Sequence, residues 1–110
     1  MDEAVVVVFT ITPRNDVPVE EYEATSARMV ELVSAMPGFL GMDYGESEGR
    51  ELLVARFESH EALREWREQP EHVLAQQLGR ERFFAHYRIE VCERVRAYEF
   101  SAEEAAAQQH

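Results

Sequence analysis

The stretch from Arg56 to Tyr87, RFESHEALREWREQPEHVLAQQLGRERFFAHY, decides how this chain is read. Its first residues close an apolar strand. Ser59 stands where a helix N-cap hydroxyl accepts a backbone N–H. Ala62, Leu63 and Trp66 then fall on one face of the short helix it opens. Pro70 ends that helix and starts another, because it lacks the donor an interior position needs yet suits a first turn. The second helix carries His72, Gln76 and Arg80, so most side chains able to meet a ligand lie in this one segment.

Reading outward toward the C-terminus, Ala85 to Phe100 is predicted as a long strand. Tyr87, Ile89 and Val91 alternate with His86, Arg88 and Glu90, a half-buried pattern. The alternation breaks near Glu93, which suggests a bulge, and the strand's length suggests that its end reaches onto a second chain. Ser101 and Glu104 have capping-box spacing for a terminal helix over 101–110.

Toward the N-terminus, Glu51 to Glu58 has apolar residues on both parities, so both faces of that strand need cover. Ser47-Glu48-Gly49 predicts a hairpin turn to a strand over Phe39 to Glu46, where Gly41 and Gly45 suggest a bulge or a close backbone approach. A helix is predicted from Pro18 to about Met36, with Tyr22, Met29, Val33 and Met36 along its apolar stripe, stopped by Pro37-Gly38. Ala4 to Thr12, AVVVVFTIT, is a β-branched strand. The order β-α-β-β-α-β predicts one α+β domain over 1–110, with its core at about 4–100. Its fold is a ferredoxin-like antiparallel sheet with helices on one face. The bare face calls for a homodimer packed sheet against sheet.

With 22 acidic and 11 basic residues, the net charge is −11. A nucleic-acid backbone or an anionic membrane is an unsuitable partner for such a chain. All 11 bases are Arg, which reads as a compositional bias of the source. The single cysteine, Cys92, excludes an intramolecular disulfide and a multi-cysteine zinc site, and its apolar strand predicts a buried structural thiol. MDEAVVVVF is acidic where a secretory signal is basic and too short to span a bilayer, so a cytoplasmic protein is expected.

Several short motifs occur along the chain: PGF at Pro37–Phe39, FES at Phe57–Ser59, EALREW at Glu61–Trp66 and PEH at Pro70–His72. Together they resemble the antibiotic biosynthesis monooxygenase domain, from the first strand to about Phe100. The resemblance implies a dimeric α+β barrel. It also implies one of three roles: cofactor-free oxygenation of a small aromatic or quinol substrate, haem binding and degradation, or a non-catalytic barrel that holds a small apolar ligand or is purely structural. Haem-degrading members use an Asn on strand one, a Trp in the second helical segment and a His ten residues later. Trp66 matches the Trp, and the other two positions fall on Phe9 and Gln76. The polyketide oxygenases use an Asn and a Trp on strand three and a Tyr on the next helix, which fall on Leu53, Phe57 and Leu63. Neither set is reproduced.

Cofactor-free oxygenation needs a dry pocket, an aromatic wall and a base to deprotonate an electron-rich substrate. Trp66 is the candidate wall, although its helical stripe equally suits core packing. His72 is the candidate base or ligand, since the nearby helix N-terminus favours neutral imidazole, and an exposed first-turn position is the alternative. His86 is a third candidate, with Arg88 and Glu90 on its side of the last strand, against a role in an inter-subunit ion-pair cluster. The expected substrate pocket is Phe9, Leu53, Phe57, Gln76 and Arg88. His60 is expected to be solvated. Arg80 and Arg82 are expected in a surface turn, steering an anion or, more simply, forming ion pairs. No metal-ligand spacing occurs, and no cofactor is expected unless haem binds.

Overall fold

A computed structural model of the chain describes residues 4–103. In order, the elements are β1 (Val5–Pro13), α1 (Val19–Ser34), β2 (Phe39–Ser47), β3 (Arg50–Phe57), α2 (His60–Arg67) and α3 (Pro70–Leu78). A π-helical turn over Gly79–Phe83 then leads into β4 (Phe84–Glu93). The sheet order is β2-β3-β1-β4 with antiparallel neighbours, the expected α+β ferredoxin-like arrangement.

Local chemistry sets these boundaries. Pro18 occupies the N-cap of α1, with Glu20 and Glu21 in its first turn at the positive end of the helix dipole. Ser59 Oγ accepts the Ala62 N–H at 3.1 Å to open α2. Gln69 Oε1 accepts the His72 N–H at 2.8 Å to open α3, with Pro70 at its first position. The hairpin between β2 and β3 turns on Glu48 (φ 53) and Gly49 (φ 77), the paired left-handed conformation of a two-residue turn. The register shifts between Phe39 and Gly41, as the glycine pattern predicts.

The core lies between the sheet and the helices and is built from Val5, Val33, Phe57, Ala62, Leu63 and Trp66. Gly38 lets α2 approach the chain entering β2. Its φ is +84, and a Cβ there would stand 2.6 Å from Ala62 Cβ. Alternation then divides the sheet. Val7, Phe9, Leu53, Ala55, Ile89 and Val91 face the helices. Their neighbours Val6, Val8, Leu52, Val54, Arg88, Glu90 and Cys92 face away, in the register that pairs Val8 with both Val54 and Glu90.

Three expectations are corrected. The last strand ends at Glu93, not Phe100: Glu93 pairs with Val5, the first residue of β1, and the Arg94 N–H to Ala4 O bond at 2.9 Å is the last backbone bond between these two segments among the described residues. Residues 94–100 pair with no strand among the described residues and are exposed. No bulge forms near Glu93, and the shift in this ladder lies at the other end, between Thr12 and Pro13. Cys92 is exposed because it sits opposite Val6, on the face away from the helices. The terminal helix expected over 101–110 lies, from residue 104 on, outside the described residues. Among the described residues, no helix is long and apolar enough to cross a membrane.

Candidate functional site

A cavity of about 430 Å³ opens between the sheet and α2–α3. Its floor is the helix-facing side of the sheet, with Phe9, Leu53 and Ile89 at the centre, and its roof is Trp66, His72 and Gln76. Six residues expected at the site, Phe9, Leu53, Phe57, Trp66, His72 and Gln76, therefore line one space. His86 and Arg88 do not. Both belong to the opposite parity of β4, paired with Thr12 and Thr10, while Ile89 and Val91 point into the cavity. A one-residue step along a strand reverses the face. The Arg88 guanidinium instead lies 3.4 Å from Glu90 on the outer face.

His72 and Trp66 form the polar centre of the roof. Their rings stack with centroids 4.0 Å apart and planes 13° from parallel. His72 Nδ1 lies 2.9 Å from the Trp66 carbonyl oxygen, which can only accept, so Nδ1 carries the proton and Nε2 holds the free lone pair. The Gln76 amide nitrogen lies 3.4 Å from Nε2. Burial holds the His72 pKa below its ordinary 6.5, outweighing the bond to the Trp66 carbonyl, which acts in the opposite direction. The neutral imidazole expected at this helix start is thus favoured mainly by desolvation. Trp66 is 9% exposed and belongs to the core as well as to the cavity wall.

α3 is fixed from outside by Arg28 of α1, whose guanidinium bonds both carboxylate oxygens of Glu71 at 2.8 and 2.9 Å and holds that carboxyl below its usual range. A second chamber of about 270 Å³ shares Phe9, Met42, Leu53 and Gln76 with the first. There Tyr22 donates to Glu51 at 2.5 Å, and burial together with the carboxylate pushes the phenol pKa upward. Tyr22, Glu51 and Arg67 were not anticipated as cavity residues. Tyr22 reads as one more member of a helical stripe, and no local signal links it to a residue 29 positions away. Elsewhere, exposed His60 pairs with Glu93 at 2.8 Å and Arg82 with Glu21 at 2.6 Å. Among the described residues, no group of three His, Cys, Asp or Glu side chains is placed to hold a metal.

The residues fit haem poorly. Among the described residues lining the chamber, His72 Nε2 is the one nitrogen ligand and the Met42 thioether the one sulfur ligand open to an iron. A porphyrin bound through Nε2 would stand perpendicular to the imidazole and hence to the nearly parallel Trp66 ring, so it could not lie against the indole. Phe9, on the floor below, supplies no hydrogen bond.

A sequence profile described as antibiotic biosynthesis monooxygenase matches residues 4–78. The uncharacterized protein YqjZ of Bacillus subtilis (strain 168) is 37% identical over 71 residues, 64% of this chain, and the match spans 62% of that relative's length. The structure of Rv0793 from Mycobacterium tuberculosis superposes with a TM-score of 0.76 at 23% identity, covering 87% of this chain and 99% of the other. SnoaB, a cofactor-independent oxygenase from Streptomyces nogalater, gives a TM-score of 0.71 at 18% identity over 86% and 96% of the two chains. At these identities the structural matches establish the fold.

Proposed function

The chain belongs to the antibiotic biosynthesis monooxygenase family, and from that premise we propose that it is a cofactor-independent oxygenase of a small aromatic or quinol substrate. The observation that carries this reading is His72: a half-buried imidazole whose pKa burial lowers, with a defined tautomer that leaves Nε2 unprotonated at an apolar cavity walled by Trp66. The substrate ring lies between the Phe9–Leu53–Ile89 floor and the Trp66–His72 roof. Nε2 takes a proton from an activated phenol, quinol or ring methylene. The resulting anion passes an electron to dioxygen, and the radical pair recombines at carbon as a hydroperoxide. For a methylene, loss of water from that peroxide leaves a carbonyl, so CH2 plus O2 becomes C=O plus H2O and all four electrons that reduce the dioxygen come from the substrate. The dry chamber keeps the anion from reprotonation by solvent.

We further propose that the working unit is a homodimer. The outer face of the sheet carries Val6, Val8, Leu52 and Val54 across its central strands, a row that a second copy covers by packing sheet on sheet.

The test is oxygen uptake with a panel of quinols and tricyclic phenols, with product analysed after growth in labelled dioxygen. One labelled oxygen atom in the product, without added metal or flavin, is the expected result. No uptake across the panel, or a saturable Soret shift with ferric haem followed by bleaching on reduction in air, would replace this reading with a binding or haem-degrading role.

A further inference from the structure

The cavity has a charged mouth of one sign. A side chamber of about 180 Å³ continues from it past Gln76 and Ile89 to Arg67 and Arg80. Arg67, in the last turn of α2, lines both the main chamber and this mouth, and Arg80, in the π-helical turn, lines the mouth. Acids outnumber bases 22 to 11 in the chain, yet no Asp or Glu lines either space.

The two arginines differ from Arg82 and Arg28, which carboxylates hold. Arg82, two residues on, is neutralised by Glu21, and Arg28 by Glu71 and Glu31. Among the described residues, neither the Arg67 nor the Arg80 guanidinium has an ion-pair or hydrogen-bond partner. The backbone holding Arg80 is nevertheless secured: Arg14 donates through Nη2 to the Arg80 carbonyl at 2.6 Å and through Nε to the Phe84 carbonyl at 3.0 Å, and its own N–H bonds Phe83 O at 2.8 Å. The π-helical turn is thereby tied to the end of β1 with its cationic side chain at the opening. π-helical turns of this kind recur at functional sites.

We infer that the substrate is an aromatic acid, whose carboxylate docks at Arg67 and Arg80 while its ring occupies the chamber beside His72 Nε2. The inference rests on the aromatic-substrate reading above and narrows it. A guanidinium fork matches a carboxylate in geometry, and the low-dielectric cavity behind it strengthens the contact. Two arginines at the only charged part of an apolar chamber also orient the ring, presenting its other end to the base. On a chain of net charge −11, this opening offers an anion two cations with no facing carboxylate among the described residues.

The test is calorimetric binding of a hydroxynaphthoate and of the corresponding neutral hydroxymethyl naphthol to the full chain. The acid is expected to bind about tenfold or more tightly, with the advantage shrinking at high salt. In Arg67→Gln/Arg80→Gln the ratio of acid to neutral affinity falls to about one. Both side chains are exposed and unpaired, so this variant keeps its fold, which circular dichroism checks. Equal affinities, a preference for the neutral compound, or an acid preference that survives the double substitution would each overturn the inference. In those cases neutral binding persists and the aromatic-substrate reading stands. Binding of neither compound would overturn both.

Discussion

Replacing His72 by Phe separates the chemistry of the site from its packing. The phenyl ring keeps the stack on Trp66, now 4.0 Å between centroids, and the open chamber accommodates its extra volume. What disappears is the Nδ1–H bond to the Trp66 carbonyl, the long 3.4 Å contact from the Gln76 amide and the basic Nε2. The carbonyl retains the Gln69 N–H at 3.2 Å, so the stability cost is that of one ordinary hydrogen bond, about 1 kcal/mol or roughly 4 °C in melting temperature. Activity should fall much further, by about 10²–10⁴ in kcat, the usual worth of a positioned base. The wild-type pH profile has a matching signature. Burial lowers the folded-state pKa below 6.5, so Nε2 stays unprotonated through neutrality and kcat/KM declines only on an acid limb below that value. For stability, the unfolded chain binds the proton more readily. The contribution of His72 is therefore complete above about 6.5 and is lost as pH falls toward the lower folded value, and this slope is absent in the variant. Oxygen uptake at several pH values, with thermal melts alongside, tests both parts. A variant that keeps more than about a tenth of wild-type kcat would refute His72 as the base.

Other perturbations follow from the same geometry. Gly38→Ala combines a left-handed φ of +84 with a Cβ 2.6 Å from Ala62, a cost of about 3 kcal/mol that a urea titration would show; an unchanged midpoint means α2 can shift freely. Tyr22→Phe leaves Glu51 without its 2.5 Å donor and should cost about 1.5–3 kcal/mol by chemical denaturation, against no loss if water replaces the phenol. Sedimentation equilibrium at micromolar concentration should give twice the 12.7 kDa chain mass, and Leu52→Glu on the outer sheet face should shift it to one; a wild-type monomer would sink the dimer.

Local chemistry alone determined most of the fold. Ser59, Pro70 and the Glu48-Gly49 turn mark boundaries because caps, prolines and left-handed turns act on their own backbone neighbours. The near-continuous apolar runs of β1 and β3, rich in β-branched residues in β1, likewise specify strands whichever partner they meet. Six of the eight residues expected at the site converge because helical and strand periodicity place them on inward faces. Where periodicity was read without its face, the expectation failed: His86 and Arg88 share a strand with Ile89 but stand on its other side. Only the tertiary structure decided which parity of β4 faces the helices, because that depends on pairing with β1, more than 70 residues away in the chain. The strand's end at Glu93 was fixed in the same way, by where β1 begins. So were the tautomer of His72, the Tyr22–Glu51 bond and the meeting of Arg67 and Arg80 at one chamber with no carboxylate partner among the described residues. Each is a contact between segments, and its energy comes from burial and neighbours that exist only once the helices have closed over the sheet.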